Sequence, residues 1–114
     1  MNKTQKRLDH LKKTIAEITA DQALELQQNG AIVLDVRSLA EYSTGHIANS
    51  IHVGRDYLEI KIEKLIANDQ NTLITVCQGG VRSLFAAESL INLGYKNIKS
   101  LAGGINAWQQ ELVK

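Results

Sequence analysis

The sequence predicts an α/β protein, three layers deep (α/β/α), built around a central, mostly parallel sheet of about five strands. Three observations predict it. Short apolar segments rich in β-branched residues alternate with helical segments along the chain. Two of them, "AIVLDV" (31–36) and "TLITV" (72–76), are near-continuous apolar runs, the pattern of parallel strands covered on both faces. The chain has 114 residues, 44% of them hydrophobic, which is enough for one domain with its own core and too short for two ordinary ones. Right-handed crossovers between parallel strands then put a functional site beyond the carboxyl ends of the strands.

Residues 2–15 read as a helix, with Leu8, Leu11 and Ile15 on one face at spacings of three and four. The domain proper is expected over 16–114, with 1–15 as a basic amphipathic addition. "AEITADQALELQQNG" reads as a short strand ending near Ile18 and a helix from about Asp21. Thr19 or Asp21 can cap that helix, and Asn29-Gly30 closes it. After the 31–36 strand, a short helical turn falls around "SLAEYS" and a short strand at "NSIHV". "RDYLEIKIEKLIAND" is a helix with Leu58, Ile62, Leu65 and Ile66 expected inside. The central "TLITV" strand leads to the helix "SLFAAESLINLG", which stops at Gly94. "NIKSL" is another strand, and "GGINAWQQELVK" is expected to be a final helix after a Gly-Gly turn. No linker, low-complexity tract or internal repeat interrupts this pattern.

Charge narrows the function classes. The net charge of +1 argues against a nucleic-acid-binding protein. The charge is uneven: residues 1–13 hold Lys3, Lys6, Arg7, Lys12 and Lys13 against Asp9, a local net of +4, which leaves −3 for the rest. That first helix is read as a solvated element lying on the domain, with a partner or dimer contact through residues 2–15 as the alternative. Its apolar face is thin and lacks Trp or Phe, so membrane-surface binding is disfavoured. No apolar stretch approaches the roughly 20 residues of a membrane span, and the basic start lacks the apolar run of a secretory signal. A single cysteine excludes an internal disulfide. A cytoplasmic location is expected.

That cysteine sits where the chemistry should be. "TLITVCQGGVRS" carries a strand into the loop Cys77, Gln78, Gly79, Gly80, Val81, Arg82, Ser83. Two adjacent glycines permit close backbone approach, and successive N–H groups can turn inward as an anion nest. The loop also enters the N-terminus of the next helix, and Arg82 adds a full positive charge. Such a cup favours the thiolate, which is the nucleophile, and favours an anionic substrate and negative charge in the transition state. The competing reading is a buried cysteine acting as a small hydrophobe at a strand end; the glycines, Arg82 and the helix start together outweigh it. Cysteine phosphatases place five residues between nucleophile and arginine, which makes room for a tetrahedral phosphate. Here four intervene, Gln78 to Val81. The smaller loop suits a persulfide with its outer sulfur at the centre of the cup.

At this point the sequence resembles the rhodanese family of sulfurtransferases, over roughly residues 16–112. "LDVRSLAEYSTGHIANSIHV" resembles the family's Asp-Val-Arg, Glu-Tyr and Gly-His-Ile segment, "VCQGGVRS" its active-site loop, and "LGYKNIKSLAGGINAW" its closing segment. The resemblance implies a rhodanese-like fold and a double displacement. Cys77 takes a sulfane sulfur from a small anionic donor such as thiosulfate and passes it to cyanide, a thiol or a protein acceptor. It implies that Arg82 holds the donor, that the loop backbone from Gln78 to Arg82 cradles the persulfide with Ser83 completing the loop, and that no metal or organic cofactor is needed. For Asp35 and Arg37, at a strand end, it implies a framework role, with Arg37 pairing Glu41 or a loop residue; direct influence on the active loop is the alternative, and Glu41 reads the same way. His46 is expected to be a structural hydrogen-bonding residue, since the mechanism needs no base. Gly103, Gly104 and Trp108 are expected in a turn and the core. Arg55 is expected in a surface or salt-bridge role rather than on the donor. His10 and His52 lack metal-site spacing with Cys77. Where the family often has proline, this chain has Ala48 and Gly54, changes that should cost turn rigidity rather than chemistry.

Two rival functions follow. One is a non-catalytic module that uses the same fold to bind a partner, against which the retained Cys77 counts. The other is a phosphatase or arsenate reductase. The short loop argues against the former, and the lack of a second cysteine against the latter's usual thiol relay.

Overall fold

A computed structural model describes residues 2–114 of the chain. The elements run α1 (Lys3–Thr14), β1 (Ala16–Ile18), α2 (Ala20–Gln28), β2 (Ile32–Asp35), α3 (Leu39–Thr44), β3 (Ile51–His52), a 3₁₀ turn (Arg55–Tyr57), α4 (Leu58–Leu65), β4 (Thr72–Val76), α5 (Arg82–Asn92), β5 (Asn97–Leu101) and α6 (Gly104–Ala107). The five strands form one sheet in the order β1-β5-β4-β2-β3, and every pairing is parallel. Alternation of side chains along each strand feeds two cores. On one face Leu34 and Leu73 pack with Leu11 and Ile15 of the N-terminal segment, Leu58 and Ile62 of α4, and Leu84, Ala87 and Leu90 of α5. On the other, Val33, Ile74, Val76 and Leu101 pack with Ala23, Ile47 and Ile105. The result is the α/β/α sandwich that the alternation of strand and helix predicts.

The helix starts follow local chemistry. Thr19, one of the two candidate caps, begins α2 with a reciprocal capping box to Gln22, and Ser38 does the same for α3 with Glu41. Asn2 caps α1 by accepting the N–H of Gln5. The apolar face of α1 is buried against the domain through Leu11, and Arg7 pairs with Glu88 of α5.

Two expectations need correction. Leu65 is exposed, because α4 ends there and only Leu58, Ile62 and the following Ile66 turn inward. The final helix is one turn long, not twelve residues. Trp108 is already extended, and the chain returns to pair Val113 with His46 through two backbone hydrogen bonds of 2.8 Å. That pairing, with Trp108 and Leu112 packed on the core, outweighs the local helix preference of "WQQELVK".

In this topology β4 lies between β2 and β5, with Asp35 beside Val76 and Thr75 beside Ser100. The carboxyl ends of the three central strands therefore point the same way. The segments that follow them, which begin at Val36, Cys77 and Ala102, gather at one edge of the sheet.

Candidate active site

Cys77 is the first residue past β4 and is 1% exposed. The chain then curls back over it. The N–H groups of Gly80 and Ser83 donate to its Sγ at 3.1 and 3.3 Å. The Ser83 hydroxyl lies 3.5 Å from the same sulfur and accepts a hydrogen bond of 2.8 Å from Ser100 on β5. Thr75 of β4 donates to the Ser83 carbonyl at 2.8 Å, so the start of α5 is tied to the strand that carries the cysteine. Among the described residues, no acceptor meets the N–H groups of Gln78, Gly79, Val81 or Arg82. The loop is thus a concave run of donors around one sulfur, with the first turn of an eleven-residue helix behind it. Such an arrangement stabilises negative charge on the sulfur and on a group bound to it.

The two arginines of the region take different partners. Arg82 opens α5 and makes a two-pronged contact with Glu41, at 2.8 and 2.9 Å. The Arg82 hydrogen bonds are the largest cause that holds the Glu41 carboxyl down at about 2, and the capping contacts from Ser38 add to it. Arg37 does not pair with Glu41. Its guanidinium is buried against Asp35 through Nε and Nη2, donates from Nη2 to the Gly45 carbonyl at 2.8 Å, and reaches Gln78 Oε1 from Nη1 at 3.1 Å. The reason is geometric. Asp35 sits at the end of β2 and also accepts the Arg37 backbone N–H, which fixes the side chain on the buried side. Glu41, on the exposed α3, points to the mouth of the loop instead. The expected contact between Arg37 and a loop residue is present; the one with Glu41 is replaced by Glu41–Arg82.

The start of α6 supports the loop from below. Ile105 N–H donates to the Cys77 carbonyl at 2.9 Å and Asn106 N–H to the Gln78 carbonyl at 3.1 Å. The Gln78 amide donates to Asn106 Oδ1 at 2.7 Å. This approach requires Gly104, whose φ is +59° and whose place a Cβ could not take without overlapping the Cys77 carbonyl. Gly80 is constrained from the other side: a Cβ there would lie 2.9 Å from the Gly103 nitrogen.

The remaining residues singled out in the sequence lie around this centre. His46 stacks on Tyr42 and makes a 2.9 Å hydrogen bond to the Tyr42 carbonyl through Nδ1. His52 Nε2 lies 2.7 Å from the Arg37 carbonyl. Arg55 pairs with Glu59 and donates to Ser89 Oγ. Trp108 packs on the second core. An open cavity of about 560 Å³ adjoins Arg82, with Arg37, Leu39, Tyr57 and Lys61 among its walls. Among the described residues, no three His, Cys, Asp or Glu side chains cluster as a metal site would need. Sequence reasoning missed Ser100 and Asn106. Each comes from a distant segment, and neither residue type nor spacing signals the contact.

Comparison with known proteins gives the same picture. The family model described as "Rhodanese-like domain" matches residues 19–111. The chain is 35% identical over 92 residues to thiosulfate sulfurtransferase GlpE of Haemophilus influenzae, covering 81% of this chain and 86% of that protein. A rhodanese-related protein of Thermoplasma volcanium superposes with a TM-score of 0.76 at 34% identity, covering 86% of this chain and 97% of that one. A Rhodopseudomonas palustris protein of unknown function, described as a possible tyrosine phosphatase, superposes with a TM-score of 0.85 at 26% identity, covering 95% and 89%.

Proposed function

The chain belongs to the rhodanese-like domain family, and from that premise we propose that it moves a sulfane sulfur from thiosulfate to a thiophilic acceptor through a persulfide on Cys77. The observation that carries the reading is the sulfur at the floor of the loop, with two N–H groups on it and four more turned to no protein acceptor. The Cys77 thiolate attacks the outer sulfur of thiosulfate. A Cys77 Sγ–S bond forms, the S–S bond of the donor breaks, and sulfite leaves with the electron pair. In the second half the acceptor attacks the outer sulfur of the persulfide, and the Cys77 thiolate departs as it was. The loop donors meet negative charge in both transition states, which is where such donors accelerate a reaction.

Arg82 is the group for the anionic end of the donor. Its contact with Glu41 uses two of the five guanidinium N–H donors and leaves three. Gln78, Gly79, Gly80, Val81 and Ser83 act through their backbone, Asp35 and Arg37 act by fixing the loop, and Glu41 holds Arg82 until an anionic donor displaces part of that contact. With one cysteine in the chain, the persulfide has no internal thiol to discharge it, so the acceptor is a separate molecule. The cavity beside Arg82 has room for a thiol larger than cyanide. A cytoplasmic setting, which keeps such a thiol reduced, is part of the same proposal. So is the division into residues 1–15 and 16–114. A partner or second copy meeting α1 would do so through its charged face, since Leu11 and Ile15 are already buried.

The test is the intact mass of the reduced protein after incubation with thiosulfate, beside Cys77→Ser. A species heavier by one sulfur atom, absent in the variant and reversed by a reducing thiol, is expected. No gain of sulfur from thiosulfate overturns the reading. Hydrolysis of an aryl phosphate that Cys77→Ser abolishes would favour the phosphatase instead.

A further inference from the structure

We propose that Asn106, acting through Gln78, is a positioning residue for the active loop: it locks the first two peptides after Cys77 so that their N–H groups face the bound anion. The inference rests on the sulfur-transfer reading for what the loop binds, but not for how it is held.

The argument starts from the peptide unit. A trans peptide aims its C=O and its N–H in opposite directions, and every described peptide bond is trans. The Cys77 and Gln78 carbonyls are bonded to the N–H groups of Ile105 and Asn106. Anchoring those two oxygens on α6 leaves the N–H groups of Gln78 and Gly79 on the far side of each peptide, where neither meets an acceptor among the described residues. A flipped peptide would aim a carbonyl oxygen at the anion instead. Such a flip breaks the hydrogen bond on that carbonyl, and at the second peptide Gly79 has no side chain to oppose it.

The Gln78 side chain prevents it. Its Oε1 accepts from Arg37 Nη1 at 3.1 Å and its Nε2 donates to Asn106 Oδ1 at 2.7 Å. Arg37 is itself immobile, buried on Asp35 and on the Gly45 carbonyl. A strut thus runs from the buried Asp35–Arg37 pair, across Gln78, to Asn106. It spans three segments of the chain, from residues 35 to 106, and it ties down the residue next to the nucleophile.

The experiment measures alkylation of Cys77 by iodoacetate and by iodoacetamide, which differ in charge and not in chemistry. Asn106→Ala, Gln78→Ala and the double variant stand beside the wild type, with melting temperatures measured in parallel. We expect the wild type to prefer the anionic reagent. Asn106→Ala should lower the iodoacetate-to-iodoacetamide rate ratio about fivefold, the effect of one hydrogen bond, and Gln78→Ala, which loses two, at least as much. The double variant should fall no further than Gln78→Ala, because that substitution already removes the contact to Asn106. The KM for thiosulfate should rise in step while the melting temperature holds. A wild type without preference, a ratio unchanged in both singles, or independent effects that multiply in the double would each overturn the proposal. Should an alanine variant fail to fold, Gln78→Met keeps the side-chain length, loses both hydrogen bonds and gives the same reading. The two ideas fail separately. A wild type that prefers iodoacetate yet gains no sulfur from thiosulfate sinks the sulfur-transfer reading and leaves the strut standing. Sulfur uptake with an unchanged ratio does the reverse.

Discussion

Two arginine–carboxylate pairs stand on either side of the active loop, and they differ above all in burial. Arg37–Asp35 is 2% and 1% exposed; Arg82–Glu41 is 44% and 34% exposed. The distances are the same, 2.8 Å in each. Burial, with the further hydrogen bonds Arg37 makes to the Gly45 carbonyl and Gln78, gives them different roles. A buried pair cannot lose one member without stranding a charge away from water, so Arg37 is fixed. An exposed pair is worth little, because water competes for both ends, so Arg82 can exchange part of its contact with Glu41 for an anionic donor at small cost. The first pair is framework and the second is a working part, although the sequence alone puts Arg37 and Glu41 in one framework group.

The comparison can be broken most severely at the buried pair. Arg37→Ala should destabilise the fold by about 3–5 kcal/mol, because Asp35 is left buried without its partner. Chemical denaturation measures it, and a loss under about 1 kcal/mol would mean that the site relaxes around Asp35. At the exposed pair the effect should move from stability to activity. Arg82→Ala should cost less than about 1 kcal/mol in stability. It should lower kcat/KM for thiosulfate about tenfold or more, as loss of a charged contact to the donor requires. Steady-state kinetics and thermal melting on one preparation give both numbers.

Smaller effects sharpen the contrast. Glu41→Gln frees Arg82 from a competing carboxylate. The KM for thiosulfate should fall by about two- to fivefold with kcat little changed, within the small energy of an exposed pair. A rise in KM would show instead that Glu41 aims Arg82 at the donor. The smallest effect is in acid. The Glu41 carboxyl is held at about 2, below its ordinary 4.5. Its contribution to stability is therefore fully present above pH 4.5 and is lost as the pH falls through about 2. The stability difference between wild type and Glu41→Gln should shrink progressively across that window, which denaturation curves at neutral pH, pH 4 and pH 2.5 would show.

How much of this was legible beforehand depends on the range of each interaction. The start of α2 was, because capping is a contact three residues long: Thr19, one of the two candidate caps, with Gln22. The β2 and β4 runs were, because burial on both faces requires an unbroken apolar string. The loop from Cys77 to Arg82 was, because nest, nucleophile and helix start lie within one short stretch. The end of the chain was not. "WQQELVK" has nothing local against a helix, and only the distant His46 backbone pairs it as an extended segment.

The sequence by itself determined the class of fold, the order of its elements, and the cysteine loop with its likeness to sulfurtransferases. These rest on periodicity and on neighbours in the chain. The tertiary structure decided which arginine is buried and which is exchangeable, that Glu41 answers Arg82 rather than Arg37, and that Asn106 and Ser100 brace the loop at Gln78 and Ser83, 28 and 17 residues away in sequence. The physical reason is that burial and long-range hydrogen bonds belong to the packed sheet. They exist only once β2, β4 and β5 lie side by side and bring three separate strand ends to one edge.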